Sequence, residues 1–189
     1  MQTITAALMP HLMIAPILVP LITACLMLFL REGKHRTKAT LSLSAAVLNL
    51  VIAVALLLWV KESDGPSAFG VYLPSNWDVP YGIVLVLDRF SALMLLVAAL
   101  VTLMALLFAL ARWHKAGAHF HPLIQIQIMG LNGAFLTGDL FNLFVFFEVM
   151  LAASYGLLLH GSGPSRVRSG LKYIAINLAA SSLFLVGAS

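Results

Sequence analysis

Charged residues are scarce in this sequence. Asp, Glu, Lys and Arg make up 10% of the 189 residues, whereas hydrophobic residues make up 61%. A soluble domain carries about 25% charged residues. No polar stretch exceeds about 20 residues, which is too short for a soluble domain, and the apolar stretches lack the alternation of membrane β-strands. The sequence therefore predicts an all-α, polytopic transmembrane helix bundle, with residues 1–189 forming a single transmembrane domain.

Cysteines and cofactor motifs are also nearly absent. Cys25 is the single cysteine, so a disulfide or a cysteine-based metal site within the chain is excluded. His114, His119 and His121 share one loop with no carboxylate or cysteine nearby, which favours titrating interfacial side chains over metal ligands. No nucleotide, flavin, quinone or metal motif is present. We therefore expect no cofactor and no catalytic residue, and any redox chemistry would belong to partner subunits.

The hydrophobic stretches indicate about six spans. They cover residues 7–30, 39–60, 83–111, 122–137, 140–160 and the stretch from about 170 onwards. The net charge is +4, and the positive charges lie between the spans, so they indicate membrane topology rather than nucleic-acid binding. The long loop 61–82 combines prolines with interfacial aromatics, which is typical of a short structured segment on a membrane face.

Lysine and arginine concentrate in alternate loops. They are frequent in residues 31–38 and present in 112–121 and 166–172, whereas loop 61–82 holds one and the turn at Asp139 holds none. Because cytoplasmic loops carry the excess of Lys and Arg, the pattern predicts that the N-terminus lies outside.

Glu148 is an acidic residue inside a hydrophobic span. A helix over residues 140–160 is about 30 Å long and matches a bilayer core. Glu148 then lies about 12 Å from its start, near the midplane. A charged side chain there costs about 3 kcal/mol on insertion scales. Two interpretations remain, a structural carboxyl bonded to a neighbouring helix and a group that handles protons or ions, and the cost favours the second.

The helix face around Glu148 is apolar apart from one hydroxyl. The residues three, four and seven positions away share that face: Phe144, Val145, Leu151, Ala152 and Tyr155. Such surroundings favour the uncharged form of a carboxyl. Asp139 lies nine residues earlier on the opposite side, so it does not pair with Glu148. It is predicted to accept the free backbone N–H groups at the helix start.

The short fourth span carries polar and small residues. Asn132 shares one face with Gln125, seven residues earlier. Gly130 and Ala134 have the small-xxx-small spacing that permits close approach of a neighbouring helix.

Asp88 and Arg89 fall in the first two turns of the third span. Because adjacent residues on a helix point in different directions, we expect each to find a partner on another helix, or Arg89 to extend to the membrane interface.

The sixth span carries one polar stripe and one cation. Tyr173, Asn177 and Ser181 recur every four residues and therefore share a helix face. Lys172 precedes them and is a natural companion to Glu148, because the fifth and sixth helices should pack antiparallel through a short loop. The alternative is that Lys172 is one more positive-inside residue that reaches the lipid headgroups.

Three sequence segments resemble a known family. Residues 138–148 (GDLFNLFVFFE) resemble the acidic-helix motif of the proton-translocating antiporter-like subunits of respiratory complex I and of the multisubunit Mrp/Pha cation/proton antiporters. Residues 131–137 (LNGAFLT) and 173–182 (YIAINLAASS) resemble the D subunit of the antiporters in particular. The resemblance implies the N-terminal portion of a fold with about fourteen helices and two inverted repeats, each with a broken helix.

The resemblance also implies a function. The chain would be part of a monovalent cation (Na⁺ or K⁺)/proton antiporter subunit in the bacterial inner membrane, a secondary transporter rather than an enzyme. Its partners would be other antiporter subunits, lipid, protons and monovalent cations, with no nucleic acid. Glu148 and Lys172 would serve translocation, with Asn132, Tyr155, Asn177, Ser181, Asp88 and Arg89 as possible accessory groups.

Two alternatives remain open. The chain could be a proton-translocating subunit of an NADH–quinone oxidoreductase, or a truncated membrane scaffold that transports nothing. The resemblance implies that the family's broken helix would follow Ser189, and the apolar final residues favour a fragment of a longer protein.

Overall fold

The computed structural model describes residues 9–62, 70–74, 77, 82–115, 117, 119–161 and 163–188. Within them the chain forms six long helices, which we number α1 to α6, and one short strand pair. The helices are Ala15–Leu28, His35–Glu62, Arg89–Arg112, Phe120–Leu136, Leu140–Leu158 and Pro164–Ala188. Strands β1 (Gly70–Tyr72) and β2 (Leu85–Leu87) pair antiparallel, and a 3₁₀ turn covers Trp113–Lys115. The predicted all-α membrane bundle is confirmed.

Four of the helices, α2, α3, α5 and α6, are long and apolar enough to cross a membrane. Helix α1 is a shorter apolar helix of 14 residues, and α4 has 17 residues. Together they agree with about six spans. Most of the predicted loop 61–82 lies outside the described residues, as do positions 7 and 8 of the first predicted span.

Prolines shape the first span. Residues 9–12 are helical, a turn follows at 13–14, and α1 then begins with Pro16 among its first residues. Pro16 has no N–H to continue the earlier turn, so the span is interrupted rather than continuous from residue 7 to residue 30. Pro20 lies inside α1 and leaves the carbonyl of Pro16 without its helical partner. Asn132 of α4 supplies one, because its Nδ2 donates to the Pro16 oxygen at 2.8 Å.

Helix α3 begins six residues later than predicted. Residues 85–87 form β2 and pair with β1, so they are a strand and not the first turns of the helix. Asp88 ends the strand and accepts a hydrogen bond from the Ser91 N–H at 2.6 Å, which caps α3. The expectation that Asp88 reaches another helix is therefore wrong. A short polar side chain that can bond the first-turn N–H groups is a strong start signal for a helix.

Helices α4 and α5 approach each other through glycines. A Cβ on Gly130 would lie 2.9 Å from the Met150 Cβ, and a Cβ on Gly133 would overlap the Phe146 ring. Small residues permit such contact between membrane helices. The sequence spacing predicts Gly130 and Ala134 as the contact pair; the close approach at Gly130 is confirmed, and Gly133 is a further contact.

The loops gather at the two ends of the bundle. At one end the Gly138 N–H donates to the Val84 oxygen at 2.9 Å, and Leu85 forms a bridge with Thr137. At the other end Glu32 lies 3.9 Å from His119, and Arg166 lies over the Trp113 ring at 4.7 Å.

The loops that carry most of the Lys and Arg therefore share one end, as the predicted alternation requires. That the N-terminus lies outside remains a prediction.

The end nearer the strands holds the larger hydrophobic core. Its buried members come from α1, α2, β2, α3 and α4 and from the turn before α1, and they include Met13, Leu56, Leu87, Leu95 and Leu136. Helices α5 and α6 contribute little to it. Only 11% of the most apolar 18-residue stretch of α5 and 6% of that of α6 are buried. Helix α6 starts at Pro164, earlier than the predicted residue 170, because proline suits the first turn of a helix.

We expect Gly133→Ala to destabilise the protein by about 1–3 kcal/mol, because the added methyl group would overlap Phe146 and force the helices apart. Gly187→Ala is the matched control, since a Cβ there meets nothing within 4 Å. Thermal unfolding in detergent, followed by tryptophan fluorescence, compares the two variants. Equal unfolding temperatures would contradict the close α4–α5 contact.

We expect the exposed positions Val71 and Ser165 to lie on opposite sides of the membrane. In a Cys25→Ala background, Val71→Cys should react with an impermeant maleimide added to intact cells. Ser165→Cys should react only after lysis. The reverse result would overturn the N-outside topology.

Candidate functional site

Asp139 sets where the acidic helix begins. Its carboxylate accepts hydrogen bonds from the N–H groups of Phe141 at 3.3 Å and Asn142 at 3.2 Å. Helix α5 starts at the next residue, Leu140, so the predicted capping role is confirmed. Glu148 is eight residues further on, about 12 Å along the axis. The cap and the helical rise together place one acidic side chain deep inside an apolar helix.

Glu148 is half-buried and has an unpartnered oxygen. Its Oε1 is shielded from solvent and accepts no hydrogen bond from any residue that the structure describes. A structural carboxyl would be expected to bond to a neighbouring helix, because an unbonded buried polar atom costs about 1–3 kcal/mol. For Oε1 that bond is missing within the described part of the chain. The geometry therefore favours a carboxyl available for another partner.

Two ring contacts fix how α5 and α6 face each other. Phe144 stacks on Phe184 with 6.2 Å between ring centroids, and Tyr155 meets Tyr173 edge-on at 5.4 Å. The residue numbers rise on α5 as they fall on α6, so the helices are antiparallel. Interpolating between the two contacts places Glu148 level with Ala180.

The fold does not place Lys172 beside Glu148. It is exposed on α6, and the same register places it level with Gly156. That level is eight residues, or about 12 Å, from Glu148 along the axis. Among the described residues, no ion pair joins the two side chains. Any influence of Lys172 on Glu148 acts over this distance.

The polar stripe of α6 faces α5, as its spacing indicates. The hydroxyls of Tyr173 and Ser154 are 3.4 Å apart. Asn177, one turn further, has a buried Nδ2 with no partner among the described residues, and the register places it level with Leu151. Ser181 lines a mainly apolar cavity of about 290 Å³ between the two helices. Glu148 and Asn177 thus lie on facing helices, each with one unsatisfied atom.

The remaining predicted residues lie elsewhere. Asn132 faces α1 through its bond to Pro16. Asp88 caps α3, and Arg89 is exposed beside it. Neither the Asp88–Arg89 pair nor Asn132 joins Glu148 in one hydrogen-bonded group.

Sequence reasoning missed a set of polar residues buried between helices. The sequence pattern places Lys38 in a loop and His121 at the interface, yet each is only 2% exposed. Ser42 and Asn49 are also buried. Lys38, Ser42 and Asn49 follow one another at intervals of four and seven residues, which puts them on one face of α2. That spacing is visible in the sequence. No group of three or more His, Cys, Asp or Glu that could hold a metal occurs within the described ranges.

Comparison with known proteins gives the chain its relatives. No family model matches. The chain is 53% identical over 180 residues to a probable K⁺/H⁺ antiporter D subunit of Rhizobium meliloti, covering 95% of this chain and 33% of that protein. It is 41% identical over 181 residues to the Na⁺/H⁺ antiporter D subunit of Alkalihalophilus pseudofirmus, covering 95% of this chain and 36% of that protein. The chain is homologous to antiporter D subunits.

Solved structures agree with this homology. One chain of the Mrp complex from Dietzia sp. DQ12-45-1b superposes with a TM-score of 0.86 and 38% identity, covering 95% of this chain and 33% of that one. A chain of the membrane-bound sulfane sulfur reductase, an archaeal respiratory membrane complex, gives 0.74 and 27%, covering 97% and 36%. This D-subunit homologue spans about a third of the length of the curated relatives that it matches.

We expect Asp139→Ala to cost about 1 kcal/mol of stability, because two N–H groups at the start of α5 lose their acceptor. Asp139→Asn should retain most of it, since asparagine also caps helices. Thermal unfolding of the purified protein compares both variants with the parent. If Ala and Asn unfold together at the parent temperature, the cap contributes nothing.

Proposed function

We propose that this chain is part of the D subunit of a multisubunit monovalent cation/proton antiporter in a bacterial cell membrane. Within it, Glu148 takes up and releases the transported proton. The protein is then a secondary transporter subunit and not an enzyme. The observation that carries the proposal is the half-buried, unpartnered carboxyl oxygen of Glu148 on a membrane-length helix, in a chain 53% identical to an antiporter D subunit.

A carboxyl at this depth can act as a proton carrier, because gaining or losing a proton changes the free energy of holding it inside the membrane. A charged side chain is costly among apolar membrane helices, whereas an uncharged one is tolerated. A cation or a polar group that approaches reverses the preference. The unsatisfied Asn177 Nδ2 on the facing helix is the right kind of donor for a carboxylate.

Lys172 acts on Glu148 through the electric field rather than through contact. The axial offset of about 12 Å is the smallest separation the two charges can have at these levels, and at an effective dielectric constant of about 20 it corresponds to an interaction of at most on the order of 1 kcal/mol. Water around the exposed Lys172 weakens this further. Lys172 therefore acts on Glu148 from a distance and does not hold it.

The partners follow from the surface. Helices α5 and α6 expose large apolar side chains, including Phe141, Ile176, Leu183 and Val186. Apolar faces of this extent are covered by lipid or by protein. We assign them to the bilayer and to other parts of the antiporter complex. The relatives are named for different cations, so the proposal is restricted to a monovalent cation.

A second candidate is a proton-translocating subunit of an NADH–quinone oxidoreductase. The similarity to the archaeal respiratory complex supports it, with a TM-score of 0.74. The higher score of 0.86 against the Mrp complex and the relatives that are antiporter D subunits favour the antiporter.

We expect Glu148→Gln in the complete complex to reduce cation/proton exchange at least tenfold, because glutamine keeps the size and polarity of the side chain but cannot release a proton. Reconstituted vesicles in which Na⁺ or K⁺ dissipates a preformed ΔpH provide the measurement. Co-purification of the other subunits serves as the control for assembly.

Two further variants sharpen the result. Glu148→Asp keeps the carboxyl at a shorter reach and should retain partial activity, and Lys172→Ala should weaken exchange without abolishing it. Normal exchange by the Gln variant would make Glu148 a structural group and refute the proposed role.

A further inference from the structure

Helices α2 and α4 carry matching sets of buried polar residues. In the described part of the chain, six of the seven buried polar or charged side chains lie on these two helices: Lys38, Ser42, Asn49, His121, Gln125 and Asn132. Each set has the same internal spacing, so each occupies one face of its helix. None of the contacts described above joins these residues to Glu148.

One observed contact fixes the register of the two sets. Gln125 Nε2 donates to the Ser42 carbonyl at 3.1 Å and to the Ser42 hydroxyl at 2.9 Å, across 83 positions of the chain. The same offset pairs Asn49 with Asn132. Both asparagines line one cavity, which confirms that α2 and α4 run parallel in this register. Lys38 and His121 occupy the corresponding positions nearer the basic loops.

The cavity between the asparagines is built for a small polar ligand. Asn49 is 3% exposed, and neither its Oδ1 nor its Nδ2 has a hydrogen-bond partner among the described residues. The cavity, which Pro16 and Thr102 also line, has about 10 Å³ of room for the centre of a water molecule. That is about the space one water needs. Two unsatisfied amide atoms are costly in a dry site and give water the partners it requires.

A second unsatisfied acceptor lies between the cavity and the basic loops. Gln125 is fully buried, and its Oε1 accepts no hydrogen bond within the described ranges. From Lys38 to Asn49 the polar residues extend about 16 Å along the helix axis. They therefore reach from the end that carries the basic loops to the interior of the bundle.

The inner end of this polar column lies at the depth of Glu148. A Cβ on Gly130 would meet the Phe146 oxygen at 3.0 Å and the Met150 nitrogen at 2.9 Å. Gly130 is therefore level with residue 148. Asn132 is two residues away, about 3 Å along the axis.

We propose that water and the buried polar side chains of the α2–α4 interface together bring protons from the basic-loop end to the depth of Glu148. The innermost water binds Asn49. This route rests on the proposed antiport function. Each water accepts a proton on one side and releases one on the other, so no bond is changed overall. The six residues of the column include no Asp or Glu, so no carboxylate is present to compensate a resident metal cation, and we assign the route to protons rather than to Na⁺ or K⁺.

The water site can be tested without transport. A high-resolution cryo-EM map of the complete complex should show density within hydrogen-bond distance of the Asn49 amide. Absence of that density would overturn the proposal. Density that strengthens when Rb⁺ replaces Na⁺ would also overturn it, because the site would then hold a cation.

The route is tested with Asn49→Leu. Leucine has the same branching at Cγ, and Asn49 makes no protein hydrogen bond to lose among the described residues, so we expect the variant to assemble. We expect cation/proton exchange in vesicles to fall at least tenfold. Ile52→Leu, on the same helix but outside the cavity lining, is the matched control and should exchange normally.

The outcomes separate the two proposals. Normal exchange by Asn49→Leu would reduce the water to a structural one and overturn the route, while leaving the role of Glu148 intact. If the parent complex shows the density but no exchange of any monovalent cation, the proposed function fails and the water site remains.

Discussion

The structure depends on satisfying polar groups where lipid supplies no partner. Pro20 frees the Pro16 carbonyl inside α1, and the Asn132 amide of α4 occupies it. This hydrogen bond has two effects. It satisfies the carbonyl that the proline frees in a membrane helix, and it fixes α4 against α1. Helix α4 is thereby placed at the centre of the bundle. The unsatisfied atoms of Asn49, Gln125 and Glu148 are exceptions to this rule within the described part of the chain.

Close packing then determines where the acidic helix lies. Gly130 and Gly133 remove the side chains that would hold α5 away from α4. Helix α5 consequently presents one face to α4, while Phe144 and Tyr155 lie toward α6. This interface of small residues therefore holds α5 close to α4 near the level of Glu148. The chemistry of Glu148 depends on glycines of a neighbouring helix that itself contains no Asp, Glu, Lys or Arg.

Hydropathy and charge alone predicted much of this. The span over 140–160, its start at Asp139 and the grouping of basic loops follow from local patterns, and the structure confirms them. The start of α3 did not follow, because residues 85–87 are apolar enough for a helix and only their pairing with β1 makes them a strand. The placement of Lys38 and His121 failed for a related reason. Their burial depends on the packing together of helices from distant parts of the chain, which no single segment encodes.

The strand pair has a mechanical consequence. The turn between α4 and α5 is bonded to the β2 segment, Gly138 to Val84 and Thr137 to Leu85, so the Asp139 end of α5 is anchored. With an arm of about 12 Å, a tilt of about 5° displaces Glu148 by about 1 Å. A rotation too small to disturb the surface is enough to make or break a hydrogen bond at the carboxyl.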